Sequence, residues 1–128
     1  MRKRVFSLIT LLCFALAVVA AGKRFTLVID AGHGGGDNGA PGAYSNEKDL
    51  TLKYALAFGR YVERNCPDVK VIYTRTTDIF VTLAGRADIA NRNKADLFLS
   101  FHINAITGSK SAHGFQSWTL GRGAQSGD

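Results

Sequence analysis

The sequence contains little cysteine, little proline and fewer acidic than basic residues, and each shortage narrows what the chain can be. Two cysteines in 128 residues allow at most one disulfide bond. Two prolines and 46% hydrophobic residues exclude a disordered or low-complexity chain. The length excludes a two-domain architecture. Ten acidic residues against 16 basic ones give a net charge of +6, so nucleic acid is a candidate partner until the positions of the charges are considered.

Two familiar catalytic motifs are also missing. The chain has no G-x-S-x-G sequence, which excludes a nucleophile elbow of the esterase type. It has no Walker A sequence either, which excludes a P-loop nucleotide site. Any chemistry must therefore come from other residues.

A leader segment carries much of the positive charge. Residues 1–4 include three basic side chains, and residues 5–21 contain only two polar ones. Small residues at 20–22 resemble the cleavage site of a secretory signal peptide. A membrane anchor is the competing interpretation, but the apolar run is a little short for a spanning helix of about 20 residues. We therefore predict a signal peptide over residues 1–22 and an exported protein, in the periplasm, cell envelope or extracellular space, with no stable membrane span after cleavage.

Cleavage after Gly22 changes the charge argument. The mature chain has 106 residues with 13 basic and ten acidic side chains, because three of the 16 basic residues lie in the leader. A net charge of +3 no longer favours nucleic acid, and we predict no such partner. Cys13 leaves with the leader, so Cys66 cannot form an internal disulfide and is predicted to be a buried small hydrophobe.

Strands and helices alternate along the mature chain. Short apolar runs predict strands over residues 25–30, 69–74, 97–102 and 114–120. Apolar residues at helical spacing predict two helices between them, one after Asn46 and one after Thr82. The first helix presents Leu50, Tyr54, Ala57, Phe58 and Tyr61, and the second presents Leu83, Ala87 and Ala90. This order predicts an α/β fold with a mostly parallel (mixed) sheet and helices on both faces.

Two histidines lie where the strands of such a sheet end. His33 follows the first strand, His102 closes the third, and Glu47 begins the first helix. Ligands bind outside the carboxyl ends of parallel strands, and two imidazoles with one carboxylate leave the fourth position of Zn²⁺ open for water. Spacing alone also allows a plainer interpretation: a loop histidine bonded to backbone, a satisfied histidine at a strand end, and an acid that complements the helix dipole.

The glycine-rich loop after the first strand has three further interpretations. Gly34, Gly36 and Gly39 fit G-x-G-x-x-G, but that dinucleotide fingerprint opens directly into a helix, and here a polar stretch containing Pro41 intervenes. The run at 33–36 is similar to the oxyanion loop of esterases, which the missing nucleophile disfavours. The glycines could also simply let a tight loop pass close to other backbone.

Five blocks of the sequence, in order, resemble a known enzyme family. They are VIDAGHGG at 28–35, NEK at 46–48, YTR at 73–75, LAGR with AN at 83–91, and ADLFLSFHINA at 95–105. From about residue 25 to residue 120 the chain resembles the zinc-dependent N-acetylmuramoyl-L-alanine amidases, amidase type 3, which are cell-wall hydrolases. Ala31 in place of the commoner proline is a mild departure, as is Gln116 where an acidic residue is often found.

The resemblance implies a hydrolase that cuts the amide bond between N-acetylmuramic acid and the L-alanine of the stem peptide. It implies Zn²⁺ as cofactor and peptidoglycan as partner, with His33, Glu47 and His102 as the metal ligands. Other residues in the matching blocks would orient these ligands or face the substrate, namely Asp30, Arg75, Arg86, Asn91 and Asn104. His113 matches no residue that the resemblance would make catalytic.

One part of the family pattern is absent. Family members carry a further glutamate on a late strand, which acts as general base, and no residue of this sequence fills that position. We therefore expect residues 23–128 to form the N-terminal part of an amidase catalytic domain, with a sheet incomplete at the C-terminus. The alternative function is a catalytically inactive peptidoglycan-binding remnant that keeps the metal site. A dimer through the unpaired sheet edge is also expected.

Overall fold

The computed structural model describes residues 24–105 and 114–119. The predicted leader, Cys13 and His113 lie outside these residues. The elements are, in chain order, β1 (Phe25–Ala31), α1 (Glu47–Asn65), β2 (Val69–Tyr73), α2 (Leu83–Arg92) and β3 (Leu97–Phe101). Within the described residues, neither helix has the length and apolar character needed to cross a membrane.

The three strands form a parallel sheet in the order β2-β1-β3. The central strand pairs in register with both neighbours, Phe25 lying opposite Val69 and Ile29 opposite Leu99. Its central position explains its composition, because a strand covered on both faces is apolar along most of its length. Val28 and Ile29 are completely buried. The predicted α/β fold with a parallel sheet is confirmed for the described residues.

One helix lies on each face of the sheet. Because successive side chains of a strand point to opposite sides, neighbouring residues of β1 contact different helices. On one face the buried core cluster joins β1 to α1 and consists of Leu27, Ile29, Ala31, Ala55 and Val62. On the other face Asp30 of β1 meets Arg86 of α2 in a buried ion pair of 2.6 Å. The contacts on the two faces therefore differ. The helix α1 packs against β1 through apolar side chains, and α2 is held to β1 by an ion pair.

The inward face of α1 differs from the apolar face that helical spacing predicts. Tyr54 is 50% and Tyr61 66% exposed. The buried residues of the helix are instead Glu47, Thr51, Ala55, Gly59 and Val62. Small side chains let the helix approach the sheet closely, and a Cβ at Gly59 would collide with the phenol of Tyr73. On α2, Leu83 is 85% exposed, and Arg86 is the buried residue.

The prediction of a fourth strand is wrong for the residues that the structure describes there. Residues 114–119 have no regular secondary structure, and Phe115 and Trp118 are 91% and 86% exposed. Because these two aromatic residues are three positions apart, they would point to opposite faces if the segment were a strand. Cys66, predicted to be buried, is only half-buried against the core because it lies just beyond the end of α1.

Candidate metal site

The loop after β1 forms the first part of the site. Gly32 donates its N–H to the carbonyl of Phe101 at 3.0 Å and so extends the pairing of β1 with β3. His33 then adopts a left-handed conformation with φ of 62°, which is uncommon outside glycine. Gly34 and Asp37 exchange two backbone hydrogen bonds of 2.9 and 3.1 Å. The chain thus turns sharply at the carboxyl end of the central strand and leaves His33 at that edge of the sheet.

The three predicted ligands lie together at this edge. Nε2 of His33 is 3.2 Å from Oε2 of Glu47, and Nδ1 of His102 is 3.0 Å from Oε1 of the same carboxylate. The centroids of the two imidazole rings are 5.0 Å apart, with an interplanar angle of 81°. One ligand atom from each residue lies within 4.8 Å of the other two. Parallel pairing of β1 with β3 is what brings the distant histidines together.

Glu47 is the buried member of the set, with 6% of its surface exposed. The backbone N–H of Ala40 donates to Oε2 at 2.9 Å, and that of Ile103 donates to Oε1 at 2.8 Å. Burial alone would raise the pKa of Glu47, but these two backbone donors and the ring of His102 outweigh burial and lower the pKa below its usual value. The carboxylate is therefore ionised at neutral pH and fixed in orientation.

Two glycines make room for the three side chains. A Cβ at Gly32 would lie 2.5 Å from Cε1 of His102. A Cβ at Gly39, whose φ is +64°, would lie 2.7 Å from Cδ2 of His33 and 2.8 Å from Oε2 of Glu47. Two imidazoles and one carboxylate held this closely are a donor set that Zn²⁺ takes in catalytic sites. The residues present fit a zinc ion.

A buried ion pair supports the histidine loop from the side of α2. Asp30 accepts hydrogen bonds from Arg86 at 2.6 Å, from Thr74 at 2.6 Å and from Ser100 at 2.7 Å. The carboxylate therefore joins β1 to β3, to the residue after β2 and to α2. Arg86 continues the connection, because its Nη2 donates to the carbonyl of His33 at 2.8 Å.

Arg75 holds the same loop from the side of α1. Its Nε donates to the carbonyl of Ala31 at 2.9 Å, and its Nη2 donates to the carbonyls of Gly32 at 2.8 Å and Lys48 at 2.9 Å. Because Lys48 follows Glu47 in α1, Arg75 ties the start of this helix to the end of β1. Arg75 is only 3% exposed as a residue, so its guanidinium orients backbone and is not open to a substrate.

The two predicted asparagines lie apart from this network. Asn91 is exposed on α2 and lines the cleft described below. Asn104 is exposed and donates to Gln116 at 2.8 Å. In the described part of the chain, neither side chain has a hydrogen bond to the predicted ligands.

The sequence reasoning missed Asp37, Lys48 and Asp78. Oδ2 of Asp37 lies 2.9 Å from Nδ1 of His33, and this hydrogen bond lowers the pKa of Asp37. Nζ of Lys48 donates to Asp78 and to the carbonyl of Gly35, both at 2.8 Å. A spacing of four residues predicts a contact on a helix, but His33 and Asp37 lie in a loop, so the sequence held no signal for the first contact. No local pattern connects Lys48 with Asp78, which are 30 positions apart.

A cleft of about 790 Å³ opens beside the ligands, between α2 and the sheet. His33 and His102 line it together with apolar side chains that include Phe80, Leu83 and Phe98. A concave, mostly apolar surface with a few convergent polar groups is typical of a ligand-binding site. A molecule bound in this cleft would lie against both histidines.

Comparison with known proteins shows the family of the chain. Residues 27–127 match the family model described as N-acetylmuramoyl-L-alanine amidase. The chain belongs to this amidase family. The matched residues include all three predicted ligands, His33, Glu47 and His102.

Individual amidases are similar in sequence over most of the chain. The sporulation-specific N-acetylmuramoyl-L-alanine amidase of Bacillus subtilis (strain 168) is 41% identical over 92 residues, which are 72% of this chain and 34% of the relative. The N-acetylmuramoyl-L-alanine amidase AmiA of Escherichia coli (strain K12) is 37% identical over 108 residues, which are 84% of this chain and 36% of the relative. The chain therefore spans about a third of the length of these two relatives.

Solved amidase structures share the fold. The catalytic domain of CwlV, an amidase of Bacillus (Paenibacillus) polymyxa var. colistinus, matches with a TM-score of 0.64 and 38% identity, over 69% of this chain and 49% of that one. An N-acetylmuramoyl-L-alanine amidase of Clostridium difficile 630 matches with a TM-score of 0.67 and 37% identity, over 73% of this chain and 50% of that one. The chain covers about half of each solved amidase.

Proposed function

We propose that the protein is an exported, zinc-dependent peptidoglycan amidase. Its substrate is the amide bond between N-acetylmuramic acid and the L-alanine of the stem peptide, in keeping with the names of its relatives. The observation that carries the proposal is the convergence of His33, Glu47 and His102 within 4.8 Å at the carboxyl edge of the sheet. Export rests on the predicted leader at residues 1–22, which would direct the protein to the compartment that contains peptidoglycan.

Each side chain has a distinct part in this function. Glu47 supplies the negative charge, and its two backbone donors keep the carboxylate oxygens directed at the histidines. His33 and His102 supply the two neutral nitrogen ligands. A bound Zn²⁺ would polarise the amide carbonyl and lower the pKa of a water molecule to about 7. The apolar wall of the cleft would hold the substrate against these groups.

Peptidoglycan binding without turnover is a second candidate function. In the part of the chain that the structure describes, the carboxylates beside the histidines already have partners: Glu47 contacts both histidines, Asp30 contacts Arg86, and Asp37 contacts His33. A general base needs a carboxylate that can accept a proton from water, and each of these three already bonds to another side chain. The second candidate is therefore a protein that keeps the metal ligands and in which none of these three described carboxylates serves as the base.

Zinc content and peptide release test the two functions separately. For the amidase we expect about one zinc ion per mature chain by inductively coupled plasma mass spectrometry, together with release of stem peptides from purified muropeptides. His33→Ala, Glu47→Ala and His102→Ala should each lose zinc and turnover. His113→Ala removes the remaining histidine as the matched control and should keep both.

The possible results separate the candidates. Zinc binding and muropeptide binding without peptide release would support the second candidate and contradict the first. A chain that holds no zinc would contradict both. Full zinc content and turnover in His102→Ala would contradict the assignment of the ligands.

A further inference from the structure

We propose that Asp37 is a positioning residue for His33, and that its carboxylate fixes the ring tautomer in which Nε2 is free to bind a metal ion. The proposal rests on the proposed metal site and adds a residue to it. Asp37 is half-exposed in the glycine-rich loop, and nothing in its local sequence separates it from an ordinary solvated acid. Its contact with His33 in the structure is what distinguishes it.

The tautomer follows from the hydrogen bond between the two side chains. Oδ2 of Asp37 lies 2.9 Å from Nδ1 of His33. An ionised carboxylate can only accept hydrogen bonds, so Nδ1 must carry the proton. In the neutral ring Nε2 then has a free lone pair. That lone pair is on the nitrogen that faces Glu47.

The far side of the ring faces a second carboxylate. Nε2 of His33 and Oε2 of Glu47 are 3.2 Å apart. In a neutral ring with its proton on Nδ1, both atoms are acceptors, and two acceptors at this distance repel each other unless a positive charge lies between them. A second ring proton or a metal ion at Nε2 would supply that charge, and only the metal ion leaves the ring neutral. Because Nδ1 is bonded to Asp37, Nε2 is the nitrogen that a metal ion would take.

The carboxylate of Asp37 is itself held in place. Its other oxygen, Oδ1, accepts the backbone N–H of Gly39 at 3.1 Å. Its backbone is paired with Gly34 through two hydrogen bonds of 2.9 and 3.1 Å. His33 has a left-handed backbone in this turn, with φ of 62°, and the residue four positions later contacts its Nδ1. The loop thus presents a fixed acceptor to one ligand.

Only His33 depends on this acceptor. In residues 24–105 and 114–119, the carboxylate that contacts His102 is Glu47. Loss of Asp37 should therefore change one ligand and leave the other two in place. Carboxylates that bond to the second nitrogen of a histidine ligand commonly change metal affinity by about 10–100-fold when they are removed.

The substitution Asp37→Asn gives the sharpest test. Gly39 continues to donate to the oxygen of the side chain, so the amide group at position 37 turns its NH₂ toward His33. That NH₂ would donate to Nδ1 and move the ring proton to Nε2, the nitrogen needed for the metal. Asp37→Ala removes the acceptor without imposing the opposite tautomer. Asp88→Asn, an exposed carboxylate on α2, is the matched control.

The first measurement is made on zinc-free protein. Long-range ¹H–¹⁵N NMR spectra of the histidine rings should show His33 protonated at Nδ1 in the parent and in Asp88→Asn. Asp37→Asn should show protonation at Nε2, and Asp37→Ala should show a mixture. An unchanged His33 tautomer in both variants at position 37 would overturn the proposal. Because no metal is present, this result stands whether or not the proposed amidase function is correct.

The second measurement is the zinc dissociation constant from competition with a chelator. We expect it to rise by about 10–100-fold in Asp37→Ala, and by at least as much in Asp37→Asn. Circular dichroism and thermal melting show whether each variant is folded, and the NMR test uses whichever of the two variants folds. Zinc affinity within twofold of the parent in a folded variant would overturn the proposal. A parent that binds no zinc would contradict the proposed function and leave the tautomer result to decide the role of Asp37.

Discussion

Arg86 donates a hydrogen bond from Nη2 to the backbone carbonyl of His33 at 2.8 Å. The same guanidinium pairs through Nη1 with Asp30 at 2.6 Å and also donates to the carbonyl of Ala31 at 2.7 Å. One side chain on α2 therefore binds the carboxylate at the end of β1 and the backbone of the first predicted ligand. Stability and ligand geometry depend on one buried group, so substitution at Arg86 should change both.

Arg86→Met should destabilise the protein by about 3–5 kcal/mol, because it leaves the buried carboxylate of Asp30 without its partner. Chemical denaturation with urea measures the change in the free energy of unfolding. Arg86→Lys keeps the charge but cannot reach all the acceptors with one planar group, and we expect an intermediate loss. Zinc affinity should weaken in both variants that remain folded.

Arg92→Met is the control for this prediction. Arg92 lies in the last turn of α2 and is exposed, so its substitution should change stability by no more than about 0.5 kcal/mol. If Arg86→Met had as small an effect, the ion pair would not be what attaches α2 to the sheet.

The sequence was sufficient to predict the three strands of the described sheet and the approximate place of the candidate site. The continuous apolar run of β1 indicates a strand covered on both faces, and β2 and β3 follow at spacings that require crossover helices. In a parallel sheet, residues at the carboxyl ends of neighbouring strands are close together. That geometry is why His33 and His102 could be placed at one edge without a structure.

The details that could not be predicted depend on distances between elements. Helical spacing selects large apolar residues such as Tyr54 and Phe58, but the close approach of α1 to the sheet selects Thr51, Ala55 and Gly59. The contact between Asp37 and His33 lies in a turn where His33 has a left-handed backbone, and the residue type gives no sign of that conformation. Local pattern gives the order of the elements, and packing decides which side chains they bury.

Gly59→Ala should destabilise the protein, although alanine is the better helix former by about 1 kcal/mol. Gly59 is a buried position of α1, and an added methyl group would collide with the ring and hydroxyl of Tyr73 on β2. Overpacking of this kind costs about 1–3 kcal/mol. Thermal and urea unfolding, monitored by circular dichroism, would measure the loss.

A second glycine provides the comparison for that measurement. A Cβ at Gly36 meets no atom within 4 Å, so Gly36→Ala should leave stability almost unchanged. Tyr73→Phe in the Gly59→Ala background removes the hydroxyl that the new methyl group would meet and should recover part of the loss. Stabilisation by Gly59→Ala alone would show that α1 does not lie as close to β2 as described.

The ion pair between Lys48 and Asp78 should make stability depend on pH in the acidic range. The hydrogen bond from Lys48, followed by that from the backbone of Gly35, lowers the pKa of Asp78 below 3.8. A lowered folded-state pKa contributes stability above the unfolded value, and this contribution is lost as the pH falls through the folded value.

Comparison of the parent with Asp78→Asn isolates this contribution. The difference in unfolding free energy should be constant from pH 5 to pH 7 and should shrink below about pH 4. Because Asp78 is largely exposed, 1 M salt should also reduce the difference. A difference that stays the same from pH 7 to pH 3 would mean that the carboxylate charge of Asp78 does not stabilise the loop.

We also expect the protein to associate through the outer edge of β3. In the described residues, β3 pairs with β1 alone, so its other edge presents unpaired backbone groups, and Phe98 beside it is 40% exposed. Unprotected edge strands with apolar side chains pair with other chains, and a lysine on the strand prevents this.

Light scattering after size exclusion should show a mass that rises toward the dimer with concentration. Phe98→Lys should remain monomeric at concentrations where Tyr61→Lys, an equivalent change on α1, still dimerises. A parent chain that is monomeric at every concentration, or equal dimerisation by the two variants, would place the contact elsewhere or exclude it.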